Sequence, residues 1–80
     1  MTDTELAAEL TAATVQYLRT AGEMRRAHEQ AANGGAWRDL DRAALANIAA
    51  AKRLDAVLVK LPKDEAARLW KAINAKRCRA

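Results

Sequence analysis

Ala31-Ala32-Asn33-Gly34-Gly35-Ala36-Trp37 decides the architecture of this chain. The sequence on either side is rich in alanine, the strongest helix former, and proline does not occur before Pro62. Asn33, Gly34 and Gly35 interrupt that background with the residue types that tolerate the left-handed backbone of a helix C-terminal cap. A break of about three residues leaves a second helix nowhere to run but back along the first. The stretch therefore predicts an antiparallel hairpin, with helix one over about 3–32, a turn at 33–35 and helix two over about 36–60.

Upstream of the turn, Thr2, Asp3 or Thr4 can cap the first helix, and Glu5 suits the positive end of its dipole. Leu6, Leu10, Ala13, Tyr17, Ala21, Met24 and Ala31 recur at helical spacing and trace one apolar stripe. Arg25 and Glu29, four apart, are placed to pair on the surface. Gly22 marks either a kink or a point where another helix comes close.

Downstream, Trp37, Leu40, Ala44, Ile48, Ala51, Leu54, Leu58 and Leu61 form the expected core stripe of the second helix. Its last third is apolar nearly all round, through Leu54, Ala56, Val57, Leu58, Val59 and Leu61, which predicts cover on every side. Pro62 stops this helix and can begin a third over about 63–77, with Asp64 and Glu65 in its first turn and Asp64 four before Arg68. Ala66, Leu69, Trp70 and Ile73 give the third helix a short apolar face, expected to fold over Val57, Val59 and Leu61.

The predicted fold class is all-α: a long hairpin plus a short C-terminal helix in one domain over 1–80. Tyr17, Trp37 and Trp70 are the only aromatic residues, and alanine adds little apolar area, so the core is lean. Each long helix would extend roughly 40 Å, more than the third can cover. Apolar surface is left open at the levels of Tyr17/Met24 and Trp37/Leu40, and self-association into a homodimeric bundle is the expected remedy.

Composition removes most catalytic classes. There is no serine, and the single cysteine and histidine, Cys78 and His28, lack an orienting third group. One Cys and one His do not make a structural zinc site, and Gly34-Gly35 lacks the spacing of a phosphate-binding loop. Glu5/Glu9 and Asp39/Asp41 sit where solvated helix faces or helix starts place them. The reading is a non-enzymatic protein with no cofactor and no metal. A lone cysteine, an acidic first segment and no long apolar run point to a cytoplasmic protein that does not meet a membrane.

Charge points to partners. Residues 1–51 hold five basic and seven acidic side chains, whereas residues 52–80 hold nine and three, giving −2 and +6. The expected function is a small helical adaptor or inhibitor, of the kind phages and mobile elements direct at host machinery. It would dock on a larger protein or nucleoprotein through helix faces that include Val57 and Val59. The alternative is a nucleic-acid accessory protein whose Arg68, Lys71, Lys76, Arg77 and Arg79 meet phosphates with little sequence preference. The same basic residues would equally suit an acidic protein surface, and Trp70 beside them reads as core.

Overall fold

Thr2 opens the first helix. Its side chain accepts the Glu5 N–H at 3.2 Å, and Asp3 and Glu5 occupy the first turn of α1 (Asp3–Ala32). The computed structural model describes residues 2–79, the last of these by its backbone alone. It is all-helical, with α2 spanning Trp37–Leu58 and α3 spanning Lys63–Arg79.

The turn between α1 and α2 is a Schellman closure. Gly34 N–H donates to the Ala31 carbonyl at 3.2 Å and Gly35 N–H to the Gln30 carbonyl at 2.7 Å, satisfying the carbonyls that a helix end leaves open. The two glycines are required for different reasons. Gly34 has φ of +97°, in the region that L side chains avoid. At Gly35 a Cβ would stand 2.6 Å from the Gln30 carbonyl oxygen. Gly35→Ala must therefore displace the backbone that closes the hairpin. It is expected to cost more than about 1 kcal/mol, lowering the melting temperature followed by circular dichroism by at least about 4 °C.

Contacts of α1 with α2 and with the turn that follows it advance in opposite chain directions. Glu9 meets Lys60, Gln16 meets Arg53, Thr20 meets Asn47 and His28 meets Trp37. The molecule is elongated, with extents of 47 × 21 × 16 Å. α2 ends two residues before the expected 60. Lys60 and Leu61 donate to the carbonyls three residues back, tightening the chain into a turn, and Pro62 then disfavours helix at Leu61. Pro62 lends its carbonyl to the Ala66 N–H at 2.9 Å as α3 begins.

The core lies where all three helices meet, in the half of the hairpin away from the Gly34-Gly35 turn. Ala13, Tyr17, Ala50, Leu54, Val57, Leu58 and Ile73 are buried there, with Leu6, Leu10, Leu61, Leu69 and Trp70 packed against them. Tyr17 and Trp70 meet edge to face at 5.5 Å between centroids. α3 meets α1 at the level of Tyr17 through Asn74 and Arg77, so Tyr17 is covered rather than open as its level in α1 predicted. Beyond it, α1 and α2 continue as a two-helix arm in which Met24 and Leu40 are half-buried.

One polar clamp holds the base of that arm. The Asn47 amide donates to Thr20 Oγ1 at 3.0 Å and to the Tyr17 carbonyl at 3.3 Å, with both side chains buried. Asn47 therefore takes the inward position that the apolar pattern assigned to Ile48, which is 51% exposed. Trp37, also expected in the core, is 59% exposed. The cause is rotational: Leu54, Val57 and Leu58 fix the buried face of α2 at its heavier end. A straight helix then carries Ala50 and Asn47 inward, and Ile48, one residue on, about 100° away.

Gly22 lies inside an unbroken helix and is buried, yet a Cβ there would meet only the Arg26 and Arg25 side chains, at 3.5 and 4.0 Å. No atom of another helix lies within 4 Å of that Cβ position. Gly22→Ala is expected to stabilise the fold by about 0.5–1 kcal/mol through reduced unfolded-state freedom and better helix propensity. A melting temperature unchanged or lowered would show that the guanidinium groups cannot yield the space. The expected surface pairs Arg25–Glu29 and Asp64–Arg68 do not close. Among the described residues the ion pair found is Lys60–Glu9, at 3.7 Å.

Candidate interaction surface

α2 buries Asn47, Ala50, Leu54, Val57 and Leu58. With about 100° between successive residues, the opposite side of the helix carries Asp41, Leu45, Ile48, Lys52, Asp55 and Val59. These residues follow one another in alternating steps of four and three, the spacing of a seam that packs against another helix. All six are exposed, and the exposure of the apolar ones is large: 67% at Leu45 and 71% at Val59. Trp37 stands at the edge of the same side, its ring meeting His28 edge to face at 6.5 Å. α1 and α3 leave Leu45, Ile48 and Lys52 bare, and Asp55 and Val59 only line an open cleft beside α3, so the all-round cover predicted for the end of α2 fails at Val59 and Ala56.

The charged members of the seam are uncommitted within the chain. Asp41, Lys52 and Asp55, and Arg38 one step before Asp41, form no ion pair among the described residues. They are long or charged side chains in water, flanking two bare aliphatic residues.

The residues predicted from sequence to meet a partner are scattered by the fold. Arg68 and Lys71 are exposed and about 60° apart on the outer side of α3, so these two share a face. Lys76 is exposed at the rim of a different feature, a shallow cleft of about 300 Å³ between α1 and α3 lined by Leu10, Thr14, Val15, Leu69 and Ile73. Arg77 points inward, about half a turn round from Arg68. Its Nη1 donates to the Tyr17 hydroxyl at 2.9 Å and its guanidinium stands 5.6 Å from the centre of that ring, while the same hydroxyl donates to Asn74 Oδ1 at 3.4 Å. Arg77 is thus engaged in fastening α3 to α1. The Arg79 side chain lies outside the described residues. Val57 is 1% exposed and belongs to the core, so of the two valines Val59 alone faces outward.

Sequence reasoning overlooked Arg38, Asp41, Leu45, Lys52 and Asp55. Their four-and-three spacing was present in the sequence, but the stronger run through Leu54 and Leu58 drew Ile48 into the wrong face. His28 sits at the turn end of α1, and Cys78 is exposed on the last turns of α3. Among the described residues no helix is long and apolar enough to cross a membrane. No family model, curated protein or solved structure matches the chain.

Proposed function

We propose that this is a non-enzymatic helical interaction protein that works by seating the outer face of α2 against another polypeptide, including a second copy of itself in a homodimeric bundle. The observation that carries the reading is the bare seam itself. A helix face with Leu45, Ile48 and Val59 each more than half exposed is apolar surface that association would remove from water, at about 25 cal/mol per Å². In that role it acts as a small adaptor or inhibitor: once the seam is occupied, the Arg68/Lys71 side of α3 stays free to approach an acidic protein or nucleoprotein surface.

A photoreactive residue in place of Leu45, activated in cells that express the protein, is expected to give a discrete protein adduct. Adducts to nucleic acid alone, or none, would overturn the reading. Arg68 and Lys71 give the second reading, a nucleic-acid accessory protein, its footing, reduced by the inward turn of Arg77. Titration with mixed-sequence duplex and single-stranded DNA separates the two. Binding through an apolar seam predicts weak association with DNA, whereas micromolar affinity that collapses with added salt would favour phosphate contacts.

A further inference from the structure

We propose that two copies of this chain pair antiparallel along the outer face of α2, about a two-fold axis passing between Ala46 and Asn47, so that Leu45 packs on the partner's Ile48. The proposal rests on the reading of the α2 seam as an interaction face and specifies what covers it.

The argument lies in the order of residues along the seam. Arg38, Asp41, Leu45, Ile48, Lys52 and Asp55 read positive, negative, apolar, apolar, positive, negative. All six are exposed, and the four charged ones have no ionic partner in their own chain among the described residues. Reversed by the two-fold, the series reads negative, positive, apolar, apolar, negative, positive. Each member then meets its complement: Arg38 faces the partner's Asp55, Asp41 faces the partner's Lys52, and Leu45 faces the partner's Ile48. The same three layers repeat on the other side of the axis. Alternating steps of three and four place such residues in successive layers of an antiparallel helix pair.

The competing arrangements fail on the same residues. A parallel pair in register would set Arg38 against Arg38, Asp41 against Asp41, Lys52 against Lys52 and Asp55 against Asp55. Sliding the antiparallel pair by one heptad in one direction puts Leu45 on Asp55 and Ile48 on Lys52. Sliding it in the other puts Ile48 on Arg38 and Leu45 on Asp41. One orientation and one register pair every charge and join the apolar residues. From 38 to 55 the paired helices run about 27 Å.

The two-fold also accounts for Trp37. It brings the partner's Trp37 to the level of Ala56, on the flank of α2 where α3 packs. There a cleft of about 300 Å³ opens between Asp55, Val59, Ala67 and Trp70. Val59, 71% exposed at the C-cap of α2, and Trp37, 59% exposed at its first turn, would cover each other.

The test is sedimentation of the full chain over a concentration series, with a charge exchange. Wild type is expected to shift from 8.7 kDa to twice that mass as concentration rises. Asp41→Lys opposes two lysines at both symmetric layers and should raise the dimer dissociation constant at least about tenfold. Adding Lys52→Asp to it reverses the pair and should restore the constant to within about threefold of wild type, a rescue that loss of folding could not imitate. Val15→Asp, on the exposed side of α1, should leave the dimer unchanged. A single 8.7 kDa species at every wild-type concentration overturns the proposal, even if cross-linking at position 45 captures a different protein and so sustains the α2 reading. A dimer indifferent to Asp41→Lys, or one that the double exchange fails to restore, overturns this seam while leaving self-association in place.

Discussion

Tyr17→Ala is expected to remove most of the stability of the fold. Tyr17 is 3% exposed, stacks edge to face on Trp70, and binds Asn74 and Arg77 through its hydroxyl. It reaches α3 through packing, hydrogen bonding and a guanidinium–ring contact together. Truncating a buried aromatic costs about 3–5 kcal/mol, and a domain this small sits near the lower end of the usual 5–15 kcal/mol of total stability. The melting temperature followed by circular dichroism should fall by more than about 12 °C. Tyr17→Phe keeps the ring and removes the hydroxyl. Asn74 is exposed and Arg77 only half-buried, so water can replace the lost partner, and the cost should be about 1 kcal/mol. A Tyr17→Ala protein that melts within a few degrees of wild type would mean that α3 is not held through Tyr17.

The same residue shows where the sequence was legible. Helix number, order and the position of the turn follow from local chemistry: Asn33-Gly34-Gly35 supplies a positive φ and room beside a carbonyl, Thr2 supplies a cap, and Pro62 supplies a stop. These features act within a few residues and can be read without knowing what lies across the fold. The rotation of α2 about its axis depends on which helices pack where. Two apolar series run along it, one through Leu54 and Leu58 and one through Leu45, Ile48 and Val59, and composition does not say which faces α1. Asn47 settles the matter, because an amide so placed needs the Thr20 hydroxyl and the Tyr17 carbonyl, partners 27 and 30 residues away. Arg77 was illegible for a similar reason. In a run of basic residues its charge is indistinguishable from that of Lys76, and Tyr17, 60 residues earlier, gives it its place.

Two leucines nine residues apart in α2 should then behave as opposites. Leu54 is 0% exposed, enclosed among Ala13, Tyr17, Ala50 and Ile73 in the core cluster, and Leu54→Ala should cost about 2–5 kcal/mol, the deleted methyl groups plus the cavity they leave. Leu45 is 67% exposed, and at a dilution where chains do not associate Leu45→Ala should alter stability by no more than about 0.5 kcal/mol. Denaturant unfolding of both variants at one low concentration checks the contrast. Equal losses there would mean that α2 is rotated and that Leu45, not Asn47, faces α1. Raising the concentration adds the second half of the argument. Association that favours the folded chain stabilises wild type by mass action, so its unfolding midpoint should climb with concentration. Leu45→Ala removes the central apolar layer of the pairing and should flatten that climb. Leu54→Ala, whose side chain never reaches the seam, should shift the whole curve downward with its slope kept.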